Sequence, residues 1–166
     1  LSSPDFFDSL ERMIHDTGVD PTHLVLELTE SCKVSDPNGL RDDFEYFKNM
    51  GINMALDDFG TEYSSIALLR KLKPQWIKID HTFVRSIQDD EMDQAILEYI
   101  MNLSKQTRIK VCVEGVENKE ILSVVQTYKP ELLQGYYYSR PCPAEEFSKK
   151  YFNGKDKTGS YGCLKK

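Results

Sequence analysis

The 166-residue chain has no uninterrupted apolar stretch near the ~20 residues needed to cross a bilayer, and its first residues, LSSPDFF, lack the pattern of a secretory leader. A cytoplasmic domain is therefore expected, within a full-length protein that upstream segments could anchor to a membrane. Cys-x-x-Cys spacing is missing as well. Cys32, Cys112, Cys142 and Cys163 stand far apart, which argues against a zinc ribbon or a thioredoxin-type motif and predicts free thiols in a reducing compartment. His15, His23 and His81 are scattered with no partner at ligand spacing. There is no low-complexity block, no internal repeat and no Gly-rich phosphate loop. Basic excess is also absent: 21 Lys and Arg against 27 Asp and Glu give a formal charge of −6, so DNA and RNA are not expected as partners. A small anion could still bind where a metal or a local Lys supplies positive charge. With 40% apolar and 29% charged residues, the chain has the make-up of one soluble domain, or of part of a larger one.

The apolar periodicity alternates between helical and extended. SSPDFFDSLERMIHDTG reads as a helix with Ser3 as N-cap, Pro4 at its first position, a stripe of Phe6, Leu10, Met13 and Ile14, and Gly18 as the stop. HLVLELTE is β-prone. DPNGLRDDFEYFKNMG reads as a helix with Leu40, Phe44 and Phe47 on one face, INMALDD as a strand, YSSIALLRKLK as a helix and QWIKID as a strand. A long helical region is predicted from about Thr82 to Lys105, carrying Ile87, Met92, Ile96 and Leu103. IKVCVEGVE, NKEILSVVQTY, ELLQGYYY and PAEEFSKKYF follow as strand, helix, strand and helix. The Gly- and Lys-rich residues 153–166 read as a loose tail or linker after a domain of residues 1–152.

Regular β-then-α order predicts parallel strands with crossover helices, an α/β fold. Alternate strand residues face opposite sides. One parity is apolar throughout: Leu24, Leu26 and Leu28; Met54 and Leu56; Ile77 and Ile79; Val111 and Val113. The other parity ends in Glu27, Asp57, Lys78 with Asp80, Glu114 and Gln134. Five successive strands thus deliver polar groups at their C-terminal ends on one side, as the strands of a (β/α)₈ TIM-type barrel do. An open doubly wound sheet gathers ligands at one switch point instead. A whole barrel takes ~250 residues, so the sequence reads as the C-terminal five or so βα units of one.

ALDDFGTEYSS sets Asp57 and Asp58 side by side. The Asp-Phe-Gly triplet suggests a kinase, but the Gly-rich loop, the strand lysine and the H-R-D loop that a kinase requires are missing. A metal-dependent hydrolase fits better. Glu27, Asp57 and Asp58 offer hard oxygens suited to Mg²⁺ or Mn²⁺ in a two-metal site. Glu114 is a candidate general base, and Lys78 could offset charge on a water or a phosphate oxygen. Glu30 and Glu117, each three residues past a strand-end Glu, are expected to brace loops through backbone N–H groups.

ELTE, ALDDFGTEYSS, IKID, VEGVE and QGYYYSRP occur in the order and spacing of the EAL domain, and the chain resembles that family over nearly its whole length. The resemblance implies a bacterial signal-transduction enzyme on a (β/α)₈ barrel, a phosphodiesterase hydrolysing cyclic-di-GMP (c-di-GMP) to linear pGpG. It implies Glu27 and Asp57 as metal ligands, with Asp57 bridging to a second ion also held by Asp58. Lys78 would contact the catalytic water, Glu114 would be the base, and Gln134 would lie near the active-site water. Asp80, placed on the same rim by strand parity, is expected to contact substrate or active-site water. Glu30 would stabilise the loop after ALDDFG, and that loop with its helix would form a homodimer. Upstream sensory or GGDEF domains are further expected partners. The namesake E-A-L triplet and a strand Asn do not occur, which truncation explains. The isolated fragment is therefore expected to be inactive, and its open sheet to self-associate. Glu62 stands where the family usually has Gly, which favours lower activity or altered dimer coupling. Two alternatives are a degenerate EAL domain that binds c-di-GMP as a sensor or regulates a partner, and another metal-dependent barrel enzyme using Glu114 or Lys78 to abstract a proton.

Overall fold

The computed structural model describes residues 4–29, 37–61 and 65–152. Five strands, β1 (Val25–Thr29), β2 (Asn53–Phe59), β3 (Trp76–Ile79), β4 (Lys110–Val113) and β5 (Leu132–Leu133), pair in parallel in chain order. Sequential parallel order with helical crossovers is the build of a barrel arc. The helices are α1 (Pro4–Thr17), α2 (Pro37–Asn49), α3 (Ser65–Leu72), α4 (Glu91–Thr107), α5 (Lys119–Val125) and α6 (Ala144–Tyr151).

The core lies between the helices and the apolar face of the sheet. Met54, Leu56, Ile77, Ile79, Val111 and Val113 are buried there, as their parity predicts, while Leu24 and Leu26 are half-buried near the β1 edge. Leu40, Phe44 and Phe47 bury on α2 with the expected spacing. On α1 the buried stripe is Phe7, Leu10 and Ile14, not Phe6, Leu10, Met13 and Ile14. Phe7 stacks on Phe47 at 4.9 Å between centroids, and this turns Met13 to solvent.

The region predicted as one helix from Thr82 begins differently. Asp80 caps a short 3₁₀ turn, His81–Phe83, taking the Thr82 N–H at 2.9 Å. Asp90 then caps α4 by accepting from Met92 N at 2.8 Å and Asp93 N at 3.3 Å. Two Asp N-caps within ten residues favour two short starts over one continuous helix. Ile87 is buried in the intervening turns, and Met92 is 67% exposed. The β5 segment pairs over two residues only, because Gly135 turns the chain onto Val116. A Cβ at Gly135 would lie 2.1 Å from the Val116 carbonyl oxygen.

Candidate active site

The acids of the site stand midway along β1 (Glu27), near the end of β2 (Asp57 and Asp58) and one residue past β4 (Glu114). Asp57 and Asp58 are adjacent, and in a flat strand they would face opposite ways. A bulge solves this. The pairing of β2 with β3 shifts register between Leu56 and Phe59, and Asp58 adopts a left-handed φ of 53°. Asp tolerates that conformation better than most residues because its short side chain bonds locally. Single oxygens of Asp57, Asp58 and Glu114 consequently all lie within 4.8 Å of one another. The sequence names both acids; the bulge that aims them together has no signal in the residue pattern.

Glu114 is fixed by its own N–H, which donates to the Ile79 carbonyl at 3.1 Å and continues the sheet one residue past β4. Gly115 follows with φ 74° and passes so close to His81 that an added Cβ would sit 2.5 Å from the His81 Cβ. This close approach keeps Glu114 on the rim.

Lys78 of β3 joins the acids. Its Nζ lies 2.8 Å from Glu27 Oε2, 2.9 Å from Asp57 Oδ1 and 2.9 Å from Glu114 Oε1, with the side chain 11% exposed. Burial opposes its charge, but the hydrogen bonds to Glu27, Glu114 and Asp57 outweigh that and hold its pKa above the ordinary lysine value. Burial raises the Glu114 pKa, with the Lys78 contact pulling the other way. Burial also raises that of Asp58, reinforced by the charges of Asp57 and Asp80. Beneath Glu114 on the same strand, burial, then the charge of Glu114, pushes the Cys112 thiol up to about 11, so it stays protonated.

Glu27 is reached through Lys78 and is not among the three mutually close carboxylates. Asp80 is buried and occupied: Oδ1 accepts from Thr82 N and Thr82 Oγ1, and Oδ2 faces His81 Nδ1 at 2.9 Å. Gln134 ends β5 with an exposed side chain, its N–H on the Val113 carbonyl. Glu117 is exposed. Glu30, Glu62, Cys32, Cys163 and residues 153–166 lie outside the described residues. Cys112 and Cys142 are free thiols.

Three carboxylates, Glu27, Asp57 and Glu114, contact one ammonium group, and Asp58 lies beside Asp57 and Glu114, leaving a local excess of negative charge on hard oxygen donors. That donor set fits divalent Mg²⁺ or Mn²⁺ and not a soft metal.

A family model for the EAL domain matches residues 1–141, and the chain belongs to that family. MucR of Pseudomonas aeruginosa, a bifunctional diguanylate cyclase and cyclic di-GMP phosphodiesterase, is 34% identical over 84% of this chain and 20% of its own length. The solved PaMucR phosphodiesterase in complex with c-di-GMP superposes with a TM-score of 0.80 at 32% identity, covering 88% of this chain and 59% of that one. Klebsiella pneumoniae BlrP1, in a manganese and cyclic-di-GMP complex, gives 0.79 at 31% identity, covering 85% of this chain and 36% of that one. The chain spans about a fifth of the length of the curated relatives it matches. Among the described residues, no helix is long and apolar enough to cross a membrane.

Proposed function

We propose that this chain, over residues 1–152, is an EAL-type phosphodiesterase domain that hydrolyses c-di-GMP to linear pGpG. The observation that carries the proposal is the rim itself, where carboxylates from β1, β2 and β4 meet around the Lys78 ammonium.

Glu27, Asp57 and Asp58 would hold a pair of Mg²⁺ or Mn²⁺ ions, which when bound activate water and neutralise charge on the scissile phosphate. Glu114 takes the proton from the attacking water, a role its raised pKa favours. Lys78 keeps its charge, pins Glu114 and Asp57 in place, and offsets charge that develops on the phosphoryl oxygens. The water oxygen bonds to phosphorus, one P–O ester bond breaks, and the departing alkoxide is protonated, opening the cyclic dinucleotide. Gln134 is available at the end of β5 to bond substrate or water. Asp80 acts on the rim through the His81 turn that it caps. A homodimer through the loop and helix after Asp58, and a GGDEF or sensory partner domain, belong to the same reading.

Glu114→Gln tests it. With Mg²⁺ or Mn²⁺ and c-di-GMP, in a protein carrying the whole barrel, turnover should fall by roughly 100-fold or more while c-di-GMP affinity stays within a few-fold. Undiminished turnover would remove Glu114 from its role. Binding with no turnover in the unsubstituted protein would instead assign a sensor.

A further inference from the structure

Lys48, Arg70, Lys73, Arg108 and Lys110 line one groove of about 690 Å³ that has no carboxylate in its wall. The groove runs between α3 and α4, beside the residues that begin β2, β3 and β4, so it lies at the opposite end of the strands from the acidic rim. Five cations without an acid are unexpected in a chain of net charge −6. Helix C-termini attract a cation through their dipole, which accounts for about one per helix. Yet among the described residues Arg70, Lys73, Arg108 and Lys110 pair with no carboxylate. Lys73 and Arg108 both take left-handed backbone, φ 48° and 60°, where glycine closes a helix at least cost. Both positions therefore sacrifice backbone comfort and still present a cation to the same groove.

Part of the wall is apolar, with Leu69, Leu103 and Ile109, and Tyr99, 55% exposed, lines it too. The volume is that of a small-molecule site. Guanidinium forks match phosphate oxygens in pairs, and a flat exposed phenol ring offers a stacking platform. Lys48 is paired with Glu45 at 3.3 Å and Lys110 lies over the Trp76 ring, so the cations left for a ligand are Arg70, Lys73 and Arg108; a fatty-acid anion would satisfy the apolar wall but could match only one of them.

We infer that this groove is a second, non-catalytic site that binds a nucleotide, with its base on Tyr99 and its phosphate taken by Arg70 and Arg108. The inference does not depend on the phosphodiesterase reading. It is tested by titrating the full chain, in EDTA, into N-methylanthraniloyl-GMP and following fluorescence. Saturable binding is expected, weakened at least tenfold in the Arg70→Glu/Arg108→Glu variant and at least threefold in Tyr99→Ala. Asp57→Asn should leave it within twofold, and inorganic phosphate should compete far less well than GMP. All three substituted groove residues are exposed, so unchanged melting curves are expected; should the charge-reversed variant not fold, Tyr99→Ala decides alone. Absence of saturable binding, loss of binding in Asp57→Asn, or full binding in the groove variants would overturn the assignment. So would equal competition by inorganic phosphate, or a change in sedimentation without a change in affinity, which would make the groove a contact between copies.

Discussion

At the scale of single residues, Asp58 is held where backbone conformation and neighbouring charge both cost stability. It holds a left-handed backbone, sits within 4.8 Å of two other carboxylates, and is partly withdrawn from water. Asn keeps the shape and suits a φ of 53° at least as well, but carries no charge. In metal-free buffer at neutral pH, Asp58→Asn is expected to gain roughly 0.5–1 kcal/mol in denaturant unfolding while losing divalent-cation binding. The folded-state pKa is raised above 3.8, so through that window the native chain holds more protons than the unfolded one. Native Asp58 therefore destabilises increasingly as pH rises through its folded pKa, and the variant's advantage vanishes as pH falls back toward 3.8. A variant less stable than the parent at neutral pH would contradict the repulsion. Strand parity alone makes Asp57, Lys78 and Glu114 legible as one group. Parity could not place Asp58, because alternation sends a neighbour to the other face and only the bulge returns it. Nor could it foresee Lys78 touching three acids at once, since residue order carries no distances.

At the scale of elements, the strands and most helices follow from periodicity, and the discrepancies occur where side chains compete with the backbone. The predicted long helix gave way because Asp80 and Asp90 each capture backbone N–H groups and start a new turn. The α1 stripe moved by one residue because Phe7 finds the Phe47 ring, a contact between helices that sequence spacing alone cannot express. The shortness of β5 traces to Gly135, whose Cα approaches the Val116 backbone more closely than any side chain would allow. Gly18 provides the control, since it has φ 65° but nothing within 4 Å of an added Cβ. Gly18→Ala should cost about 1 kcal/mol, from backbone conformation alone. Gly135 has no left-handed φ, but a Cβ there collides with the Val116 backbone, and Gly135→Ala should cost about 3 kcal/mol or more in urea unfolding. Equal costs for the two would mean that the turn after β5 is not packed as described. The Gln134 side chain and the turn that follows it would then lose their fixed place on the rim.

At the scale of the whole molecule, one sheet serves two ends with opposite charge. Toward its strand C-termini three acids meet a single lysine with Asp58 beside them, and its strand N-termini open onto a groove lined by cations. Residues 1–141, which carry both ends, match the EAL family as a whole. Among the described residues β1 and β5 are each paired on one side only, and Val25 and Leu132 are exposed there, which is the state of an arc and not of a closed barrel. The central claim is that side chains from successive strands converge closely enough to hold divalent cations together. Mn²⁺ soaked into crystals of the protein with c-di-GMP, and located by anomalous scattering, tests it most directly. The account predicts manganese bound by the carboxylates of Asp57 and Asp58, with Glu114 and Lys78 beside it. Manganese bound elsewhere, or Asp57 and Asp58 left without a cation at saturating Mn²⁺, would contradict it.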